Sequence, residues 1–113
     1  MTCLFCRIIA RELPSAMVFE DDRFVAFEDI HPQAPMHVLI VPKEHIPTLN
    51  DLEDRHDELV GGMLRLAAAI ARDNGLSEIG YRTVFNCQAA AGQTVFHVHL
   101  HVLGGRTLTW PPG

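Results

Sequence analysis

The chain has 113 residues, 48% of them hydrophobic and 20% charged, with a formal net charge of -5 at pH 7. That length buries one core but not two, so residues 1-113 are expected to form a single globular domain. One lysine (Lys43) argues against a nucleic-acid partner, no apolar run approaches the ~20 residues of a membrane span, and no export signal is recognised at Met1; with three cysteines, an odd number, this fits a reducing cytoplasmic compartment.

Residues 4 to 11 read as a short helix that Pro14 ends, with Phe5, Ile8 and Ile9 facing inward. Cys3 and Cys6 stand at i and i+3, a spacing that suits a metal knuckle or a redox pair; the redox form normally follows a strand, and none fits ahead of Cys3. Residues 17-20 and 24-27 flank Asp21-Asp22-Arg23 and predict a hairpin. Residues 29-35 form a loop stiffened by Pro32 and Pro35. Residues 37-41 follow as an apolar, β-branched strand stopped by Pro42, with His37 on the face of Leu39 and Val41.

Residues 51 to 74 predict one long helix. Leu52, Leu59, Met63, Leu66, Ala67 and Ile70 recur mostly at spacings of three and four. Asp51, Glu53 and Asp54 suit its first turn, Asn74-Gly75 its end, and Gly61-Gly62 a close approach to another backbone. Residues 81-86 predict a strand, leading through the small-residue loop 87-94 into residues 96-103. A loop of Gly, Gln and Thr can offer backbone N–H groups and a hydroxyl to phosphate oxygens, although an ordinary hairpin loop has the same composition. Trp110, held between Thr109 and the Pro111-Pro112 pair, is hard to bury in so small a domain and predicts packing on a neighbouring subunit. Three strands, a long helix and two more strands, joined by hairpin-length connections, predict an α+β domain: one antiparallel sheet with helices against a face.

The chain's most informative stretch is Phe96-His97-Val98-His99-Leu100-His101-Val102-Leu103. With a side-chain period of two, His97, His99 and His101 share one face of a strand and Val98, Leu100 and Val102 the other. Three readings are open: an idle exposed face, a His-x-His metal site, or a central nucleophile at phosphorus flanked by two proton-handling groups.

The run from His97 to Leu103 resembles the signature of the histidine-triad (HIT) nucleotide-binding proteins, His-φ-His-φ-His-φ-φ. Phe19-Glu20-Asp21-Asp22-Arg23, Ala26 to Ile30, Pro32 to Pro35, Ile40-Val41-Pro42-Lys43, Gly92-Gln93-Thr94 and the ending from Gly104 to Gly113 are similar to the Hint branch of that family. The resemblance implies a HIT-like fold with a five-stranded antiparallel sheet, one long helix and a short N-terminal helix. It also implies a homodimer with a ten-stranded sheet, and hydrolysis of purine nucleoside phosphoramidates or AMP-lysine compounds. Carried over, His99 is the nucleophile, with His101, His37 and Thr94 as catalytic neighbours. Asp29 holds the ribose, Phe27 and Ile30 line the nucleoside pocket, and Asn86, Gly92, Gln93 and Thr94 surround the phosphate of AMP or GMP. Trp110 reaches the partner's site. Some bacterial relatives further imply a structural zinc on Cys3, Cys6, His45 and His97. One departure stands out: Gln88 occupies a position that is usually glycine, which permits a positive φ that glutamine adopts only at a cost.

The chemistry is coherent without the family. A neutral imidazole can attack a tetrahedral phosphorus bearing a good leaving group and form a nucleotidyl-histidine that water breaks, with no cofactor required at the phosphorus. Two rivals make different predictions. A hydrolase with zinc on the alternating histidines would lose activity to chelators, and an AMP-binding regulator or scaffold would bind nucleotide without forming an adduct.

Overall fold

The computed structural model describes residues 3–113, and its framework is one five-stranded antiparallel sheet in the order β1-β2-β3-β5-β4. The predicted hairpin forms from β1 (Met17–Glu20) and β2 (Phe24–Glu28), and Asp21 sets its turn by accepting from the backbone N–H groups of Arg23 and Phe24, both at 2.8 Å. β3 (Met36–Pro42) is the central strand, buried along its whole length, His37 included, as its largely apolar sequence requires. β4 (Tyr81–Phe85) forms an edge, and β5 (Leu100–Gly104) lies between it and β3.

Both faces of the sheet are covered, by different helices; this corrects the expectation of helices against a single face. Ala26, Val38, Ile40, Leu100 and Val102 meet Met63, Ala67, Ile70 and Ala71 of the long helix α2 (Asp57–Asp73). On the other face Val25, Phe27, Leu39 and Val41 meet Phe5 and Ile8 of the short helix α1 (Leu4–Ile9). The alternation of the strands explains this: β2 and β3 are apolar at odd and even positions alike, so each face needs a cover. The close approach expected at Gly61-Gly62 is to side chains and not to a backbone: Gly62 lies against the Phe24 ring, where an added Cβ would stand 3.1 Å from Cζ, and Gly61 faces open space.

Two predicted boundaries move by more than two residues, and α1, expected over residues 4 to 11, ends two residues early at Ile9. α2 starts at Asp57, not at residue 51, because the chain before it forms two separate 3₁₀ turns, Leu49–Asp51 and Asp54–His56. Thr48 and Asp51 close a reciprocal capping box on the first turn, and Leu52 and Glu53 are extended, so the helical ladder cannot run through. The histidine segment enters its strand only at Leu100. Val98 donates to the carbonyl of Ile46 at 2.7 Å instead of joining the sheet ladder, and residues 95-97 bend. The alternation of faces survives: Val98, Leu100 and Val102 belong to the α2 side, and the three histidines to the other. No helix of the described residues is long and apolar enough to cross a membrane.

Candidate active site

The imidazole face of the segment from His97 to His101 does not look into solvent. α1 lies across it, and the Phe5 ring stands edge-on to His99, with centroids 4.9 Å apart. His97 is fully buried and His99 nearly so, while His101 is half-buried.

Backbone groups determine where each imidazole carries its proton. Nδ1 of His99 lies 2.7 Å from the carbonyl oxygen of its own neighbour His97. A carbonyl only accepts, so Nδ1 holds the proton and Nε2 keeps the nucleophilic lone pair. The backbone N–H of Gln33 donates to Nδ1 of His37 at 3.0 Å, which leaves the His37 proton on Nε2. That Nε2 is 2.9 Å from Nδ1 of His101 and 3.4 Å from a carboxylate oxygen of Asp29. His101 therefore accepts at Nδ1 and carries its proton on Nε2. One backbone amide thus sets two histidines in series and equips His101 as a donor beside the lone pair of His99, whose ring centroid is 5.0 Å away.

Their charges follow from burial. Burial holds His99 below the ordinary imidazole range, partly offset by the His97 carbonyl and the Asp29 charge. Burial, and then the neighbouring His99 and His37, push His101 down to about 4. Burial also lowers His37 against the opposing pull of Asp29. All three are neutral at pH 7, as an uncharged nucleophile and an N–H donor require.

A cavity of about 260 Å³ opens over these groups. His99, His101, Asn86, Gly92 and Thr94 stand at its polar side, and Phe27, Asp29 and Ile30 complete the set expected from the sequence. Asp29 is braced by the N–H of His31 at 2.8 Å, whereas Ile30 is 83% exposed at the rim. The structure adds an apolar wall that sequence reasoning missed: Leu4, Phe5 and Ile8 of α1 with Val95. The inward spacing of Phe5 and Ile8 was the available signal, but nothing in it says which face of the sheet the helix covers. Two expected residues do not line the cavity. His37 lies behind His101, and the Gln93 side chain is buried in the protein. Trp110 is 83% exposed.

A second cluster lies on the far side of His97. Nε2 of His97 is 2.8 Å from the Pro42 carbonyl, so its proton is there and Nδ1 presents a lone pair. Nδ1 of His97 is 3.1 Å from Nδ1 of His45, 3.4 Å from Sγ of Cys3 and 3.6 Å from Sγ of Cys6; Cys6 Sγ is 3.3 Å from His45. A tetrahedral ion with bonds of about 2.0 Å to nitrogen and 2.3 Å to sulfur separates N from N by roughly 3.3 Å and N from S by roughly 3.5 Å. The four residues fit such an ion. Burial and the adjacent Cys3 push the Cys6 thiol up to about 11, so a cation is what would draw it to thiolate. Among the described residues, groups of three or more candidate ligands with their ligand atoms within 4.8 Å of one another are this cluster and Asp29-His37-His101. The triad histidines are divided between them, His97 in the first and His101 in the second.

Residues 2–108 match the family described as "Scavenger mRNA decapping enzyme C-term binding". The purine nucleoside phosphoramidase of Escherichia coli is 49% identical over 105 residues, 93% of this chain and 88% of that protein. The 14 kDa zinc-binding protein of Zea mays is 46% identical over 112 residues, 97% of this chain and 87% of that one. Among solved structures, the HIT family hydrolase from Legionella pneumophila Philadelphia 1 superposes with a TM-score of 0.97 at 54% identity, covering 99% of this chain and 100% of that one.

Proposed function

The chain belongs to the histidine-triad family of hydrolases, and from that premise we propose that it hydrolyses purine nucleoside phosphoramidates of the AMP or GMP type through a nucleotidyl-histidine formed on His99. The observation that carries this reading is the bond from Nδ1–H of His99 to the His97 carbonyl, which aims an unprotonated Nε2 at a cavity able to take a nucleotide.

Phe27, Ile30 and the α1 wall take the base and Asp29 the ribose hydroxyls, while Asn86, Gly92, Thr94 and His101 face the phosphate. Nε2 of His99 forms a bond to phosphorus as the P–N bond to the departing amine breaks. Nε2–H of His101 and the Thr94 hydroxyl hydrogen-bond the departing nitrogen, which takes its proton from a water molecule and leaves as a neutral amine. The hydroxide left by that water attacks phosphorus, breaks the bond to His99 and yields the nucleoside monophosphate. His37 and Asp29 keep the His101 tautomer that this hydrogen bond needs.

Cys3, Cys6, His45 and His97 are inferred to hold a structural zinc, supported by the ligand separations above and by the zinc-binding relative in maize. A closed four-ligand site supplies folding energy, not chemistry. We further infer a homodimer and a cytoplasmic setting.

The decisive experiment mixes excess protein with an adenosine phosphoramidate and follows intact mass in a single turnover. The expected result is a transient AMP adduct that His99→Ala does not form, with turnover in that variant lower by on the order of 10³-fold or more. AMP binding with no adduct and no turnover in the wild type would leave the regulator reading standing instead.

A further inference from the structure

The loop between Asn86 and Val95 contains a polar side chain that behaves like a core residue. Gln93 is 3% exposed, in a loop whose other members are mostly at the surface. Three of the four bonding positions of its amide are used within the protein. Oε1 accepts the backbone N–H of Gln88 at 2.8 Å, and Nε2 donates to the carbonyls of Pro47 at 2.8 Å and Val95 at 3.1 Å. Two carbonyls at one end and an N–H at the other also establish which amide atom is nitrogen. The side chain is not among those that line the cavity.

Gln88, which it grips, has φ +75° and ψ 168°. A residue with a Cβ rarely adopts that backbone conformation, and glycine adopts it freely. Gln88 is held from both ends: its N–H by the Gln93 side chain, and its carbonyl by the backbone N–H of Gln93 at 3.1 Å and of Ala91 at 3.2 Å. The residues on either side of Gln93, Gly92 and Thr94, line the cavity.

We propose that Gln93 is a positioning residue: its amide holds Gln88 in a glycine-like conformation and so sets Gly92 and Thr94 against the substrate phosphate. This rests on the reading of the cavity as a nucleotide site. The dependence on Gln93 is specific to a chain with a side chain at position 88. Glycine there would adopt the same backbone unaided, so the two positions are energetically coupled although neither side chain touches substrate.

The test compares the full-length wild type, Gln93→Met, Gln88→Gly and the double variant by kcat and KM on an adenosine phosphoramidate and by melting temperature. Misplacement of a phosphate loop by about 1 Å is worth up to ~10²-fold in rate, so Gln93→Met is expected to lower kcat by about 10- to 100-fold with KM changed by less than about threefold. Gln88→Gly alone is expected to raise the melting temperature. In the double variant it restores at least half of the lost kcat on a logarithmic scale. An unchanged kcat in Gln93→Met overturns the proposal. So does a loss that Gln88→Gly leaves unrepaired, because the amide would then act on substrate directly or only on Pro47. If Gln93→Met does not fold, the double variant decides: folded and active supports the coupling, unfolded or inactive refutes it. A wild type without turnover defeats the functional reading and not this one. In that case the melting temperatures decide, with additive shifts in the double variant refuting the coupling.

Discussion

The seven histidines of this chain are one residue type, yet those at the site are prepared for different tasks by the backbone groups they meet. His99 gives its Nδ1 proton to its neighbour's carbonyl, His97 gives its Nε2 proton to Pro42, and His37 receives an N–H from Gln33 and passes the constraint to His101. The strand period made the shared face legible in the sequence. The tautomers were not legible, because the groups that set them at His97 and His101 lie 55 and 64 residues away along the chain. A pH dependence follows. His101, at about 4, and His37, also lowered, are held below the value near 6.5 that a histidine has in an unfolded chain. As the pH falls the unfolded chain takes up these protons first. The stability tied to the neutral pair is complete above about pH 6.5 and is lost progressively towards pH 4. Melting temperatures should decline across that window, and the His101→Asn variant should show a shallower decline. A wild-type melting temperature that stays flat across it would contradict the burial of neutral imidazoles.

At the scale of elements, the hairpin, β3 and β4 could be read directly, since their apolar periodicity is local and their turns carry Asp, Pro or Gly. The start of α2 could not. The Leu52-Leu59-Met63 spacing continues a helical pattern, but the Thr48–Asp51 capping box and the bond from the Glu53 N–H to Nδ1 of His56, at 2.9 Å, satisfy the backbone in 3₁₀ turns instead. Within α2, Gly62→Ala sets a helix-propensity gain of ~1 kcal/mol against a Cβ placed 3.1 Å from the Phe24 ring, which is 2% exposed and has little room to move. Packing wins: the expected net loss is about 1 kcal/mol, measurable by urea unfolding, and a stabilised variant would show that the Phe24 ring yields. α1 depends on its partners more than any other element, since six residues do not form a helix alone in water. Its anchors are the buried Phe5 and Ile8 and the cysteines at its start. Cys6→Ser is expected to reduce bound zinc to well below one per chain, lower the melting temperature and weaken AMP binding through the Phe5 wall. Retained zinc in that variant would remove Cys6 from the ligand set.

For the whole molecule, the sheet has two edges, and they differ. β1 is irregular, with a register shift between Met17 and Phe19, and its last residue, Glu20, is tied to Lys43 at 3.0 Å and to Arg11. A bulged edge strand that ends on a charged residue resists pairing. β4 keeps an unbroken register with β5 over all five residues and leaves its other side open. Around it Ile79 is 81% exposed, Trp110 83% exposed, and a depression of about 540 Å³ runs between residues 76-82 and 105-108. The C-terminal segment is drawn to the same edge, with Arg82 donating to the Thr109 carbonyl at 2.8 Å. An open regular strand bordered by exposed apolar side chains is the surface that a second copy of the chain would cover, joining two sheets into one of ten strands. The 12.6 kDa chain should therefore sediment as a dimer at micromolar concentration, and Ile79→Asp should shift it towards monomer. Trp110, borne on the segment beside that interface, would lie nearer the leaving group of the partner's substrate than the base of its own. Removing residues 108-113 should accordingly alter the preference among amine leaving groups by more than it alters AMP affinity. A monomeric wild type, or a truncation that weakens AMP binding while leaving the amine preference intact, would separate the tail from the neighbouring site.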